Sequence, residues 1–146
     1  MASGVKVTDE CKQAFVDVQL GHKFQYVVFK LNDKMTEIVV EKKGEVGAAY
    51  EEFVEILKSA EEKGECRYGV FDVAYTSKEG HAKSKLAFIF WAPETAKIKQ
   101  KMVYSASQSV LKNTLGQGIH KFVQANDHSE LSWDYLLEEC QRNARD

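Results

Sequence analysis

The residues of this chain that could perform acid–base or nucleophilic chemistry are not spaced for it. Three acidic pairs could in principle donate and accept protons: Glu51-Glu52, Glu61-Glu62 and Glu138-Glu139. We expect all three on helix faces or loops that water solvates, where carboxylates rarely take part in catalysis. No serine lies in a Gly-x-Ser-x-Gly turn, and no cysteine has a histidine nearby in sequence, so a small hydrolase would lack its nucleophile and base. The sequence predicts that the protein is not an enzyme.

Metal and phosphate sites are not indicated either. The histidines are His22, His81, His120 and His128, and no two are four residues apart on a predicted helix. Gly116-Gln117-Gly118 follows a predicted helix, whereas a phosphate loop precedes one. The cysteines Cys11, Cys66 and Cys140 are odd in number and far apart, which is typical of buried reduced thiols in a cytosolic protein. We expect no metal and no cofactor.

The composition is that of one ordinary globular domain. The chain has 146 residues, 44% of them hydrophobic and 29% charged, which is enough for one hydrophobic core over residues 1–146. The formal net charge is −2, so an anionic partner would need a local basic patch, and nucleic acid is not expected as a partner. No apolar stretch has the length of a secretion signal or a membrane span. We expect a cytoplasmic monomer.

Helical and strand-like segments alternate along the chain. Apolar residues at helical spacing predict four helices, around Cys11–Val18, Tyr50–Leu57, Thr95–Leu115 and Trp133–Cys140. Runs rich in β-branched and aromatic residues predict five strands, at Tyr26–Leu31, Glu37–Glu41, Arg67–Tyr75, Lys83–Trp91 and His120–Gln124. The segments between them, including Gly44–Gly47, are predicted as surface loops.

The order of these elements predicts a layered α/β fold. The short connections 32–36 and 76–82 are each expected to close a hairpin, so the sheet is predicted to be largely antiparallel. Residues 86–91 are apolar on both strand faces, which a sheet with one wet face would not tolerate. We therefore expect a five-stranded sheet between helices, in three layers.

The long helix at Thr95–Leu115 has residues of two kinds at about 100° per residue. We expect one sector to face the core: Met102, Val103, Ala106 and Val110. The opposite sector is polar or basic: Lys97, Lys101, Gln108 and Lys112. Lys99 falls in the apolar sector, which predicts that the first turns extend past the sheet and stay exposed. Pro93 supports this, because it ends the preceding strand and directs the helix start outward.

The segment 91–96 (WAPETA) and the segment 99–107 (KQKMVYSAS) resemble the long actin-binding helix of the ADF/cofilin family. Residues 1–5, 66–72, 84–86 and 124–127 resemble the family as well, so the similarity covers nearly the whole chain. It implies an ADF-homology, gelsolin-like fold whose mixed sheet has its last strand parallel to the neighbouring strand. It also implies binding of actin monomers and filaments, preference for the ADP form, and promotion of filament severing and depolymerisation.

The resemblance implies two surfaces. The first would contact actin in monomers and filaments through Ser3, Gly4, Val5, Lys99, Lys101, Met102 and Ser107. The second would contact the neighbouring subunit of the filament through Lys83, Lys85, Glu138 and Arg142. Family members often have a basic residue where this chain has Glu139, and we expect this reversed charge to weaken filament binding and severing.

Regulation and alternatives follow from the same residues. Ser3 is a candidate phosphorylation switch, since a phosphate would add negative charge to the segment that approaches actin. Four lysines are candidate phosphoinositide contacts: Lys97, Lys99, Lys101 and Lys112. The alternative function is therefore a phosphoinositide-responsive peripheral module with weak or monomer-only actin binding. A filament-side binder that takes no monomers is a nearer alternative, against which the intact segment 99–102 argues.

Overall fold

The computed structural model describes residues 4–142, and for Gln117 the backbone alone. The strands are β1 (Lys6–Val7), β2 (Phe24–Leu31), β3 (Glu37–Glu45), β4 (Arg67–Thr76), β5 (Ala82–Trp91) and β6 (Lys121–Ala125). The helices are α1 (Asp9–Gln19), α2 (Tyr50–Glu62), α3 (Ile98–Leu115) and α4 (Trp133–Gln141), with short 3-10 helices at Gly116–Gly118 and His128–Leu131. All four predicted helices and all five predicted strands are present.

The strands form one mixed sheet in the order β1-β3-β2-β4-β5-β6. The β2–β3 and β4–β5 connections are antiparallel hairpins, as predicted, and β6 runs parallel to β5. The sheet has six strands rather than five, because Lys6 and Val7 pair in parallel with Glu37 and Ile38. Two residues are too few to give an alternating pattern, so the sequence carried no signal for β1. Strand β3 also extends to Glu45, into the predicted loop at 44–47.

The helices cover both faces of the sheet, which confirms the predicted three layers. One core contains residues of α1 and α3 together with one face of the strands, including Phe15, Tyr68 and Tyr104. The other contains residues of α2 and α4 with the opposite face, including Phe53, Trp91 and Leu136. Strand β5 supplies both cores, as its continuous apolar run predicted.

Helix α3 begins at Ile98, three residues later than predicted. Pro93 and Ala96 close a turn through the Ala96 N–H and the Pro93 carbonyl, and Lys97 is still extended. The Lys97 N–H donates to the Gly64 carbonyl at 2.9 Å, which ties the helix start to the end of α2. Gly64 has a φ of +72°, a left-handed conformation that favours glycine. This anchor fixes where α3 leaves the sheet.

The predicted core face of α3 is wrong. The buried residues are Tyr104, Ser107, Leu111 and Leu115, whereas Met102 and Ala106 are exposed and Val103 and Val110 are partly buried. Apolar residues occur on several sides of this helix, so its periodicity is compatible with two different buried faces. The buried stripe contains the bulkier side chains, and Tyr104 there accepts a hydrogen bond from the Leu31 N–H at 2.9 Å. The half-buried Lys101, Gln108 and Lys112 flank this stripe instead of lying opposite the core.

Candidate functional site

The first turns of α3 form an exposed surface of mixed apolar and basic character. Ile98 is 76% exposed and Met102 is 65% exposed, and Lys99 between them is exposed as well. Apolar side chains of this size are more often buried, and exposed ones that cluster on one helix face are typical of interaction surfaces. The expected exposure of the helix start is present. The reason for this exposure differs from the predicted one, because Lys99 lies on the outward face of α3 and not on its core face.

Two hydrogen bonds hold the first turn of α3 in place. The Lys101 ammonium donates to the Glu94 carbonyl at 2.6 Å, which closes the turn before the helix. The Gln100 side chain accepts from the Cys66 N–H at 3.2 Å and so ties the same turn to β4. These two bonds orient the exposed triplet Ile98, Lys99 and Met102 without covering it.

Two residues predicted on the first surface are buried. Ser107 is fully buried, because it lies on the same face of α3 as Tyr104 and Leu111. Its side chain is therefore not exposed for contact with actin in this conformation, which differs from the prediction. Val5 is 6% exposed and belongs to the core between the sheet and α1 and α3. Its side chain anchors the N-terminal segment, which brings the neighbouring Gly4 to the surface.

The N-terminal segment is attached to the edge of the sheet. Gly4 is exposed and has a φ of +83°, a conformation that favours glycine. The Lys6 N–H donates to the Thr36 carbonyl at 3.1 Å, which continues into the β1–β3 pairing. Ser3, the candidate phosphorylation site, lies outside the described residues.

The second predicted surface is assembled where β5 meets the end of α4. The Lys85 ammonium donates to the Cys140 carbonyl at 2.9 Å, so the strand and the helix are joined directly. Lys83, two residues earlier on β5, is exposed. Glu138 on α4 and Arg142, directly after the end of α4, are exposed as well. Residues far apart in sequence are therefore brought to one side of the molecule.

Glu139 is not a free negative charge on this surface. Its side chain is 14% exposed and lies 2.9 Å from the Arg142 guanidinium and 3.9 Å from the Lys121 ammonium. Glu138, in contrast, is 75% exposed and 3.8 Å from Arg142. The two ion pairs offset the charge of Glu139, which the sequence alone could not indicate because Lys121 comes from β6.

The four lysines predicted to contact phosphoinositides do not form one patch. Lys112 lies three turns beyond Lys101, a rise of about 16 Å, and packs over the Phe122 ring at 4.8 Å. Lys30, Lys63, Arg67 and Lys99 instead line a polar cavity of about 430 Å³ beside the helix start. Sequence reasoning missed Lys30 and Lys63, because they come from β2 and from the loop after α2.

Ile98 is the other residue that the sequence analysis missed. It is the most exposed of the large apolar side chains in the described residues and begins α3 itself. The sequence could have indicated that Ile98 accompanies Met102 on the exposed face, because the two are four residues apart and such positions share a helix face.

No three histidine, cysteine, aspartate or glutamate side chains between residues 4 and 142 are grouped to hold a metal ion. None of the helices described is long and apolar enough to cross a bilayer. Cys11, Cys66 and Cys140 are buried and unbridged, as expected.

Comparison with known proteins gives a consistent result. A model of the cofilin/ADF family, described as cofilin/tropomyosin-type actin-binding protein, matches residues 4–141. Cofilin of Schizosaccharomyces pombe is 44% identical over 140 residues, which cover 96% of this chain and 97% of that protein. Actin-depolymerizing factor 1 of Oryza sativa subsp. japonica is 41% identical over 135 residues, 92% of this chain and 94% of its own.

The fold comparison agrees with the sequence comparison. The crystal structure of Streptomyces griseoflavus cofilin superposes with a TM-score of 0.84 at 37% identity, over 95% of this chain and 98% of that one. The similarity to these proteins, in sequence and in fold, therefore extends over nearly the entire chain. The chain therefore belongs to the ADF/cofilin family.

Proposed function

We propose that this protein binds actin monomers and filaments, prefers the ADP form, and promotes severing and depolymerisation of filaments. The observation that carries the proposal is the exposed triplet Ile98, Lys99 and Met102 at the start of α3. Apolar side chains ringed by lysines suit a partner surface with an apolar pocket and acidic rim. Relatives named cofilin and actin-depolymerizing factor support actin as that partner.

Filament disassembly requires no catalytic group under this proposal. A ligand that binds one filament twist more tightly shifts the filament toward that twist by its differential affinity. Boundaries between occupied and unoccupied stretches would be mechanically weak, and breakage would occur there. The second surface, with Lys83, Lys85, Glu138 and Arg142, would supply the contact to the neighbouring subunit.

The test is sedimentation of ADP-actin filaments with increasing amounts of protein. The variants are Lys99→Ala/Lys101→Ala and, as a matched control, Lys42→Ala/Lys43→Ala, which removes the same charge from exposed lysines of β3. We expect the wild type and the control to move actin from the pellet to the supernatant and the first variant to leave it pelleted. Equal activity of both variants would contradict the assigned surface, and an inactive wild type would contradict the proposed disassembly activity.

A second candidate function is binding of phosphoinositide headgroups. The cavity lined by Lys30, Lys63, Arg67 and Lys99 favours it, because the cations outnumber the lining carboxylates of Asp33 and Glu65. Co-sedimentation with vesicles that contain phosphatidylinositol bisphosphate tests it. Lys63→Ala is expected to weaken binding, and Lys12→Ala on α1 serves as the control. Equal binding to vesicles with the same charge from phosphatidylserine would contradict a headgroup site.

A further inference from the structure

Strand β4 extends beyond the strand that pairs with it on one side. It pairs with β5 along its full length, from Arg67 to Thr76. On its other side it pairs with β2 only as far as Phe71, opposite Tyr26. No other strand in the described residues faces the segment 72–76 on that side. This stretch of β4 is therefore a short internal sheet edge.

A bulge in β2 creates this edge. Phe24 and Tyr26 pair with the consecutive residues Glu45 and Gly44 of β3, so Gln25 is the extra residue. Bulges bend a strand, end its pairing and redirect a side chain. The Gln25 amide donates to the Asp72 carbonyl at 2.7 Å and its oxygen accepts from the Gly47 N–H at 3.0 Å. The side chain thus supplies a hydrogen bond to β4 at the point where its pairing with β2 ends.

The next backbone groups along β4 point toward the same edge. The Asp72 carbonyl points away from β5, since it accepts from Gln25. Leu86, its partner on β5, uses its own N–H and carbonyl to bond His120 on the other side. Asp72 and Leu86 are therefore a non-hydrogen-bonded pair, and this direction recurs every second residue along a strand. Ala74, which is exposed, directs its N–H and carbonyl outward as Asp72 does.

An aromatic cleft of about 360 Å³ adjoins this edge. Its wall contains Trp133, which is half-buried and lies 5.3 Å from the Tyr50 ring and 6.2 Å from the Phe71 ring, centroid to centroid. Glu51 and Ala74 also line it. A partly exposed indole beside a strand edge offers a surface for one side chain of an added strand, because side chains of a strand alternate between faces.

The charge of the cleft indicates which kind of side chain it would bind. Its lining includes the exposed Glu51 and no lysine or arginine. Cations are attracted both to a carboxylate and to the face of an indole ring. A lysine or arginine side chain therefore fits this cleft better than a neutral or acidic one.

We propose that the β4 edge and the aromatic cleft together bind an extended peptide segment of a partner protein, which adds as a strand beside Ala74 and places a lysine or arginine against Trp133 and Glu51. Main-chain hydrogen bonds would supply affinity and the basic side chain would supply specificity. The site is distinct from the start of α3, and its occupation requires no actin.

The probe is a terminally blocked five-residue peptide with arginine at its centre, flanked by threonines and valines, titrated into ¹⁵N-labelled protein. We expect saturable shifts of the Ala74 amide and the Trp133 indole resonances with one dissociation constant. The Trp91 indole is the internal control, because it is buried and donates to the Leu57 carbonyl at 2.8 Å. Absence of saturable shifts at Ala74 and Trp133 would overturn the proposal.

Two changes to the peptide separate its two contributions. Methylation of the central backbone nitrogens removes donors that strand addition needs, and we expect binding to be lost. Replacement of arginine by glutamine is expected to weaken binding about fivefold. Unchanged binding of the methylated peptide would exclude strand addition, and unchanged binding of the glutamine peptide would exclude the cationic specificity.

Two changes to the protein make the same separation. Glu51→Gln is expected to weaken the arginine peptide about fivefold and leave the glutamine peptide unchanged. The control Glu10→Gln makes the same charge change on an exposed residue of α1 and should have no effect. Ala74→Pro removes the outward N–H, which a strand edge tolerates, and should abolish binding of both peptides. Equal affinities for Glu51→Gln and wild type would contradict the role of the carboxylate.

Discussion

At the scale of single residues, Ile98 and Met102 are two large apolar side chains that the fold leaves mostly exposed to water. Methionine adapts its shape to an irregular partner surface, because it is unbranched and has several rotatable bonds. An isoleucine one turn away adds a rigid apolar contact. Exposed residues of this size contribute little to folding, so their effect should fall on binding.

We predict that Met102→Ala weakens binding to ADP-actin about tenfold, because truncation of a central apolar contact commonly has an effect of this size. The midpoint of thermal unfolding should not change, since Met102 is 65% exposed. Val46→Ala is the matched control, because Val46 is 62% exposed on the loop after β3. Fluorescence titration of labelled actin measures the affinity, and equal affinities of the two variants would contradict the prediction.

The cysteines give a second prediction at this scale. Burial raises the pKa of the Cys66 thiol to about 11, and burial likewise raises the pKa values of Cys11 and Cys140. Since the thiolate is the reactive species, all three should react slowly with Ellman's reagent at pH 8 and quickly in urea. Fast reaction of one thiol in the folded protein would show that its surroundings open.

At the scale of elements, α3 packs one side against the core and leaves its first turns exposed. Its buried stripe packs on the sheet, and the Tyr104 hydroxyl accepts from the Leu31 N–H while the Tyr104 carbonyl accepts from the Tyr68 hydroxyl. These bonds and the Lys97–Gly64 anchor fix the rotation of the helix about its axis. The rotation in turn decides that Ile98, Lys99 and Met102 point outward.

We predict that Tyr104→Phe lowers the free energy of unfolding by about 1–3 kcal/mol, because it leaves the buried Leu31 N–H without its acceptor. Urea denaturation followed by circular dichroism measures the change. Tyr135→Phe removes a hydroxyl from a half-buried residue of α4 and is the control. A loss as large for Tyr135→Phe would mean that the hydrogen bond to Leu31 is not the cause.

At the scale of the whole molecule, the protein presents two separate charged surfaces. One lies at the start of α3, and the other lies where β5 meets the end of α4. Glu139 belongs to the second but is held by Arg142 and Lys121, so its contribution to the surface field is small. We therefore expect the reversed charge at this position to weaken filament binding less than the sequence alone suggested.

We predict that Glu139→Lys raises filament affinity at low salt and makes it more sensitive to added salt, because it changes the local charge by two units. The same change should lower the unfolding temperature, because Arg142 and Lys121 would then face a like charge. Co-sedimentation at two salt concentrations and thermal unfolding measure the two effects, with Glu10→Lys on α1 as the control. A fall in filament affinity would contradict the prediction.

Local patterns in the sequence determined most of the architecture. The four helices, five of the strands, both hairpins and the cover on both faces of β5 follow from periodicity and turn composition, which depend on neighbouring residues. The similarity to the ADF/cofilin family, read from segments such as 91–96, added the parallel last strand. It also pointed to the start of α3 as the binding surface.

Tertiary structure alone decided which side of α3 is buried, because a helix that is apolar all round has no single stripe and the sheet selects among several. It also decided that Ser107 is inaccessible, that Lys121 neutralises Glu139, and that a bulge at Gln25 leaves an edge of β4 open. Each of these depends on residues that are distant in sequence and meet only after folding. Burial and pairing are properties of such contacts, and a linear pattern does not contain them.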